Sequence, residues 1–227
     1  MIAYTLPNAL PGRESGRADR MFQSVISTER ELRDLMGEAN EGSLRKETTY
    51  LTAECMQFIE RSPFMLLATS GKDGRCDVAP KGDPAGFVHV LDETHLVIPD
   101  RPGNKRFDGL RNIFENPHIG LIFLVPGRHE TLRVNGKAFI TQDPEVLDAM
   151  PVRGKRPWFG IGVEVQECYL HCGKAFIRSE LWEPGSWPDL ATVPTGAQLL
   201  KGTRRGFDAS EEEIAAGLQE SYRTRLY

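Results

Sequence analysis

The apolar positions of this chain fall first into helical segments and then, after residue 63, into short strand-length runs. Ser27-Thr28-Glu29-Arg30-Glu31 offers a hydroxyl cap followed by acids, a helix start that should run to Gly37. A second helix is predicted over residues 52–61, carrying Cys55, Met56, Phe58 and Ile59 toward a core. The run Phe64-Met65-Leu66-Leu67-Ala68-Thr69 reads as a buried strand. A two-glycine turn, residues 70–74, returns the chain along residues 75–80. Residues 87–91 and 96–98 make another pair around Asp92-Glu93-Thr94. Residues 119–125, 131–141 and 161–170 complete the strands, with Gly136 as a candidate bulge.

Short antiparallel strands with occasional helices predict a mainly β fold with flanking helices, a closed barrel rather than a parallel sheet. A helix over residues 105–115 places Phe107, Leu110, Ile113 and Phe114 on one side, and Asn116-Pro117 stops it. Asp143-Pro144-Glu145 starts a short helix. Ser210 and Glu213 form a capping-box pattern for a final helix through Tyr222. Three segments result: an arm and helix over 1–50, a barrel domain over 51–182, and an extension with a terminal helix over 183–227.

A formal net charge of −4 with no basic tail excludes a general nucleic-acid binder, which needs a broad cationic face. No apolar run reaches the ~18–20 residues of a membrane span. The first 20 residues lack a signal-peptide core, so a cytoplasmic protein is expected. The four cysteines are then expected as reduced thiols. Cys168 and Cys172 flank His171, but structural zinc needs a second ligand pair that this chain lacks, so buried thiols are expected there.

The chemistry concentrates between Cys76 and Arg111. Lys81 at a strand end, and Asn104-Lys105-Arg106 after Pro102-Gly103, offer fixed cations and a helix start, which suits a phosphate. Arg101 and Arg111 are within reach of the same anion; Arg111 has Asp108 and Glu115 as alternative partners at helical spacing. The bland alternatives are a solvated lysine for Lys81 and a helix cap with two surface cations for the triplet. Backbone groups of Asp77, Val78 and Ala79, and of residues 97–100, can flank a flat ring. No Ser–His–acid arrangement, GxGxxG or Walker loop is present.

SPFMLLATSGKDGRCDVAPKGDPAGFVHV, LVIPDRPGNKRFDGLRNIFENPHIGLIFLVPG and ETLRVNGKAFIT together resemble the pyridoxamine 5′-phosphate oxidase-like family of FMN-binding split barrels. The later HCGKAFIRSELW is similar to a subgroup of FMN-dependent members; the resemblance spans Phe58 to Trp182. It implies a homodimer with FMN at the subunit interface. Lys81, Lys105 and Arg106, with Asn104 and Arg111, would hold the phosphate. The backbone of Asp77, Val78, Ala79 and Pro80, and of Val97, Ile98 and Pro99, would edge the ring. Glu130, Thr131 and Arg133 would come from the other subunit. Lys174, Arg178 and Trp182 would line the pocket mouth, and Trp158 is a second candidate ring cover. The implied function is an FMN-dependent oxidoreductase acting on a small molecule, with no catalytic acid or base named. The alternatives are an F420- or haem-binding protein, with His171 as the first axial candidate, and a non-catalytic flavin sensor or carrier. The tail after residue 190 lacks the Arg-x-His motif with which true pyridoxamine phosphate oxidases grip substrate; Arg204-Arg205 is its only basic pair before the last helix.

Overall fold

The computed structural model describes residues 22, 24–44, 46–203 and 208–227. Most of the irregular arm expected over residues 1–27 and the Arg204-Arg205 pair lie outside them. The described residues up to Leu44 belong to one unit and those from Lys46 onward to another. In the first, helix α1 (Glu29–Met36) starts at a complete capping box of Thr28 and Glu31 and ends at Gly37, whose φ of +80° suits glycine. A single turn, α2 (Glu41–Leu44), follows.

The second unit begins with α3 (Ala53–Arg61), capped by the Thr52 hydroxyl and burying Ile59. Seven strands follow: β1 (Phe64–Ser70), β2 (Cys76–Gly82), β3 (His89–Val90), β4 (His95–Pro99), β5 (His118–Leu124), β6 (Thr131–Thr141) and β7 (Gly160–His171). They form one antiparallel sheet in the order β2-β1-β5-β6-β7-β4-β3. Alternate residues of β1 and β5 are buried, as a one-sided strand requires. The register of β6 against β7 shifts between Asn135 and Gly136, so the predicted bulge is real. Ser62, fully buried at the end of α3, has its hydroxyl 2.8 and 2.7 Å from the Phe64 and Leu124 carbonyls, tying the helix to β1 and β5.

The sheet curls. Met65 and Leu67 of β1 share one buried cluster with Leu96 and Ile98 of β4, at the other end of the strand order. The barrel that the strand pattern alone suggested would close is open, consistent with the split barrel that the resemblance implies, because β2 and β3 remain edges of the hydrogen-bonded ladder. Side chains bridge the gap instead. Lys81 of β2 pairs with Asp100 after β4 at 2.8 Å, and Arg101 pairs with Asp83 at 2.6 Å.

The helix expected from residue 105 starts later, as α4 (Asp108–Glu115). Lys105 and Phe107 sit at φ +58° and +59°, which no right-handed helix tolerates. Asn104 accepts the Arg106 amide at 2.9 Å, closing a local turn rather than capping a helix. Helix α5 (Pro144–Asp148) stands where the Pro-Glu pair placed it. Three of the described helices escaped the sequence reading: α2, α6 (Lys174–Ser179) and α7 (Gly196–Thr203). The last, α8 (Glu211–Thr224), carries the predicted Ser210–Glu213 capping box.

Of the thiols, Cys168 is buried beside Cys55, and burial pushes its pKa up to about 12. The expectation that Cys172 is also buried fails, because β7 ends at His171 and releases Cys172 to solvent. A thiol reagent such as iodoacetamide should therefore modify Cys76 and Cys172 in the folded protein and Cys168 only after unfolding, because the thiolate is the reactive form. Peptide mass spectrometry reads this directly; rapid labelling of Cys168 would show that β7 opens readily.

Candidate functional site

One large cavity, about 950 Å³, opens where the curled sheet fails to close. That is the upper end of the ~300–1,000 Å³ of ligand pockets. Its first wall is β2, from Asp77 to Lys81. Because β2 bonds only to β1, the backbone groups along its other side are free to meet a ligand. The second wall is the loop from Asp100 to Phe107 and the first turn of α4. The third is residues 155–159, together with Tyr227.

The walls carry opposed charges. Lys81 and Asp100 are both mostly buried, so the cavity already holds one ion pair. Arg106 donates to Asp108 at 2.7 Å and Arg111 donates to the same carboxylate at 2.6 Å. The Arg106 hydrogen bond, aided by Arg111, holds the Asp108 carboxyl below its ordinary pKa; Asp108 in turn raises that of Arg106. Lys105 makes no ion pair among the described residues, and its left-handed backbone conformation presents it from a tight loop. Strained residues of this kind collect at binding sites because the surrounding fold must hold them.

Of the third wall, the sequence had offered only Trp158. Arg153 and Gly154, at φ +51° and +73°, make a two-residue turn closed by mutual hydrogen bonds between Val152 and Lys155. The basic run R-G-K-R was its available signal. Tyr227 had none. Its hydroxyl donates to Asp83 at 2.7 Å, and its ring lies 4.8 Å from the Arg153 guanidinium. Lys155 donates to its backbone carbonyl at 2.9 Å. Asp83 itself is buried and held by Arg101, which also donates to the Met150 carbonyl. The Tyr227 phenol is pushed up from its ordinary pKa by that bond to Asp83.

The structure divides the sequence-predicted residues into three groups. Asp77, Val78, Ala79, Pro80, Lys81, Asn104, Lys105 and Arg106 line the cavity, as does Trp158. Val97, Ile98 and Pro99 are buried in β4, one residue short of it, and Arg111 points its guanidinium at Asp108 from outside. The remaining six lie along β6, the loop before it, α6 and the turn after α6. Thr131 is buried opposite His171 in the ladder. Glu130 is exposed beside it. Arg133 donates to the Tyr169 hydroxyl at 2.7 Å, and Lys46 lies 5.2 Å over the same ring. Burial, with Arg133 and Lys46 nearby, lowers the His171 pKa. Trp182 donates to the Arg128 carbonyl at 2.7 Å and stacks on Phe176 of α6, which carries the exposed Lys174 and Arg178. Within one chain these six do not reach the cavity. No group of three His, Cys, Asp or Glu side chains converges among the described residues, and no described helix is long and apolar enough to cross a membrane.

Solved structures to which part of this chain is similar include the HupZ protein of Group A Streptococcus, 18% identical over 52% of this chain and 92% of its own, with a TM-score of 0.43. A candidate pyridoxamine 5′-phosphate oxidase of Lactobacillus delbrueckii is 24% identical over 55% of this chain and 98% of its own, with a TM-score of 0.42. HutZ, the haem storage protein of Vibrio cholerae, is 15% identical over 54% of this chain and 94% of its own, with a TM-score of 0.38. No curated protein matches the chain. The antiparallel sheet with flanking helices is consistent with the split barrel, and the pyridoxamine 5′-phosphate oxidase family model matches residues 51–170, from the core residue Leu51 to the end of β7. By that match over more than half of its length, the chain belongs to the pyridoxamine 5′-phosphate oxidase family.

Proposed function

We propose that the chain binds FMN and acts as an FMN-dependent oxidoreductase on a small molecule, working as a homodimer. The observation that carries this reading is the cavity between β2 and the 100–107 loop, which sets Lys81, Lys105 and Arg106 beside a strand edge with free backbone groups. A flavin phosphate needs fixed cations; a flavin ring needs a flat wall with donors and acceptors at its edge. The residues present fit both needs. Lys81, Lys105 and Arg106 would take the phosphate, with the Asn104 turn fixing the Arg106 amide. The β2 backbone from Asp77 to Pro80 would meet the ring. Lys81 would exchange Asp100 for the phosphate, so Asp100 opposes binding and tunes it.

When bound, FMN supplies two-electron redox chemistry, and the protein orients it and sets its electrostatics. The β6 and α6 groups, Glu130, Thr131, Arg133, Lys174, Arg178 and Trp182, would complete the site from the second subunit. Arg133 is the strongest of them, being a half-buried cation without a carboxylate partner among the described residues.

The visible spectrum of the purified protein tests the cofactor, with chromatography of what heat denaturation releases. Released FMN supports the reading. Deazaflavin F420 or haem would replace it, and a colourless protein that takes up no added FMN would refute it. Turnover of bound flavin by NAD(P)H and oxygen then separates an enzyme from a carrier or sensor.

A further inference from the structure

Tyr227 is the one cavity-lining residue contributed by the segment after α8, and its attachment is slight. It rests on one phenol–carboxylate bond to Asp83, one Lys155 bond to its carbonyl, and the face of its ring against Arg153. The two residues before it, Arg225 and Leu226, are exposed. The anchors it docks on are firm by comparison. Asp83 is buried and paired with Arg101 across the split of the barrel, and Arg153 and Lys155 belong to a tight closed turn. A weakly held side chain on a rigid seat, at the rim of a ligand-sized cavity, is the arrangement of a gate: segments that move are those with few buried contacts.

We propose that Tyr227 is a movable wall of the cavity, which closes one side over a bound ligand when docked on Asp83 and opens the way in when released. The identity of the ligand rests on the FMN reading above; the docking of Tyr227 does not. Closure retains the ligand, so losing the wall should show chiefly in the rate of release.

Two measurements on the full chain test this. Tryptic cutting at Arg223 and Arg225, followed by mass spectrometry without added flavin, reports docking. Tyr227→Ala should be cut faster than the wild type, with Tyr227→Phe, which keeps the ring over Arg153, between them. Flavin fluorescence in stopped flow reports the wall. Tyr227→Ala should release FMN about tenfold faster, with association unchanged or faster, and FMN should slow tryptic cutting of the wild type only. Equal cutting of wild type and Tyr227→Ala would overturn docking. Faster cutting with unchanged FMN release would overturn the wall. A wild type that binds no FMN refutes the cofactor assignment, while the flavin-free cutting comparison still decides whether Tyr227 docks.

Discussion

Replacing Lys81 and Arg106 together by alanine should weaken FMN binding by about 3–6 kcal/mol, on the order of 10²–10⁴ in Kd, because charge-assisted phosphate contacts contribute about 1.5–3 kcal/mol each. The two are not equal. Lys81 is mostly buried, so its charge acts in a medium that screens little; Arg106 is 70% exposed and already shared with Asp108, so its share lies at the low end. Lys81→Ala also leaves Asp100 without its cation and facing the phosphate, which adds repulsion to the lost attraction. The opposite substitution gives the opposite sign. Asp100→Asn frees Lys81 and removes a negative charge from the cavity, so FMN should bind more tightly than to wild type. Fluorescence titration of the four proteins, with circular dichroism to confirm folding, measures all of this. Unchanged affinity in the double variant would move the phosphate elsewhere, and weaker binding by Asp100→Asn would mean that Asp100 positions Lys81 rather than competing for it.

Gly136→Ala should destabilise the fold by about 3 kcal/mol or more, toward the severe end of overpacking substitutions. A Cβ at Gly136 would drive into the backbone carbonyl oxygen of Glu164, with the carbonyl carbon at 3.1 Å and Val163 Cγ1 at 3.2 Å. Backbone in the middle of a ladder cannot rotate away, so β6 and β7 would have to part at the bulge that sets their register. Gly162 is the control. Its Cβ would also meet something too close, but that something is the Phe139 ring, which is 51% exposed and can swing into solvent. Gly162→Ala should therefore cost clearly less. Thermal unfolding separates them, at about 2–4 °C per kcal/mol for a chain of this size. Equal losses would show that the backbone contact is not what makes Gly136 irreplaceable.

The strands were legible because their burial alternates and their turns carry glycine, asparagine or aspartate. β6 falls on the predicted residues, β1 differs from the prediction by one residue at one end, and β5 and β7 by one residue at each end. The capping boxes at Thr28 and Ser210 were equally legible, since a cap is a contact between near neighbours. The 105–115 helix misled for a related reason. Leu110 and Ile113 do face the core, but Phe114 is exposed, and the loop before the helix is shaped by left-handed residues that no periodicity reveals. Cys172 misled because extending the strand period one residue past His171 turned an exposed thiol into a buried one.

The chain's own order of residues settled the strand-forming segments, the basic positions near residues 81 and 105, and the family, because each is written in local spacing. Tertiary structure alone decided that Lys81 is paired with Asp100, that Asp83 and Arg101 bridge the split, and that residues 155–159 and Tyr227 wall the same cavity. Those partners lie 18 to 144 residues apart in sequence. Contacts at such separation arise from how the sheet curls and where its edges stop, and nothing in local spacing encodes them.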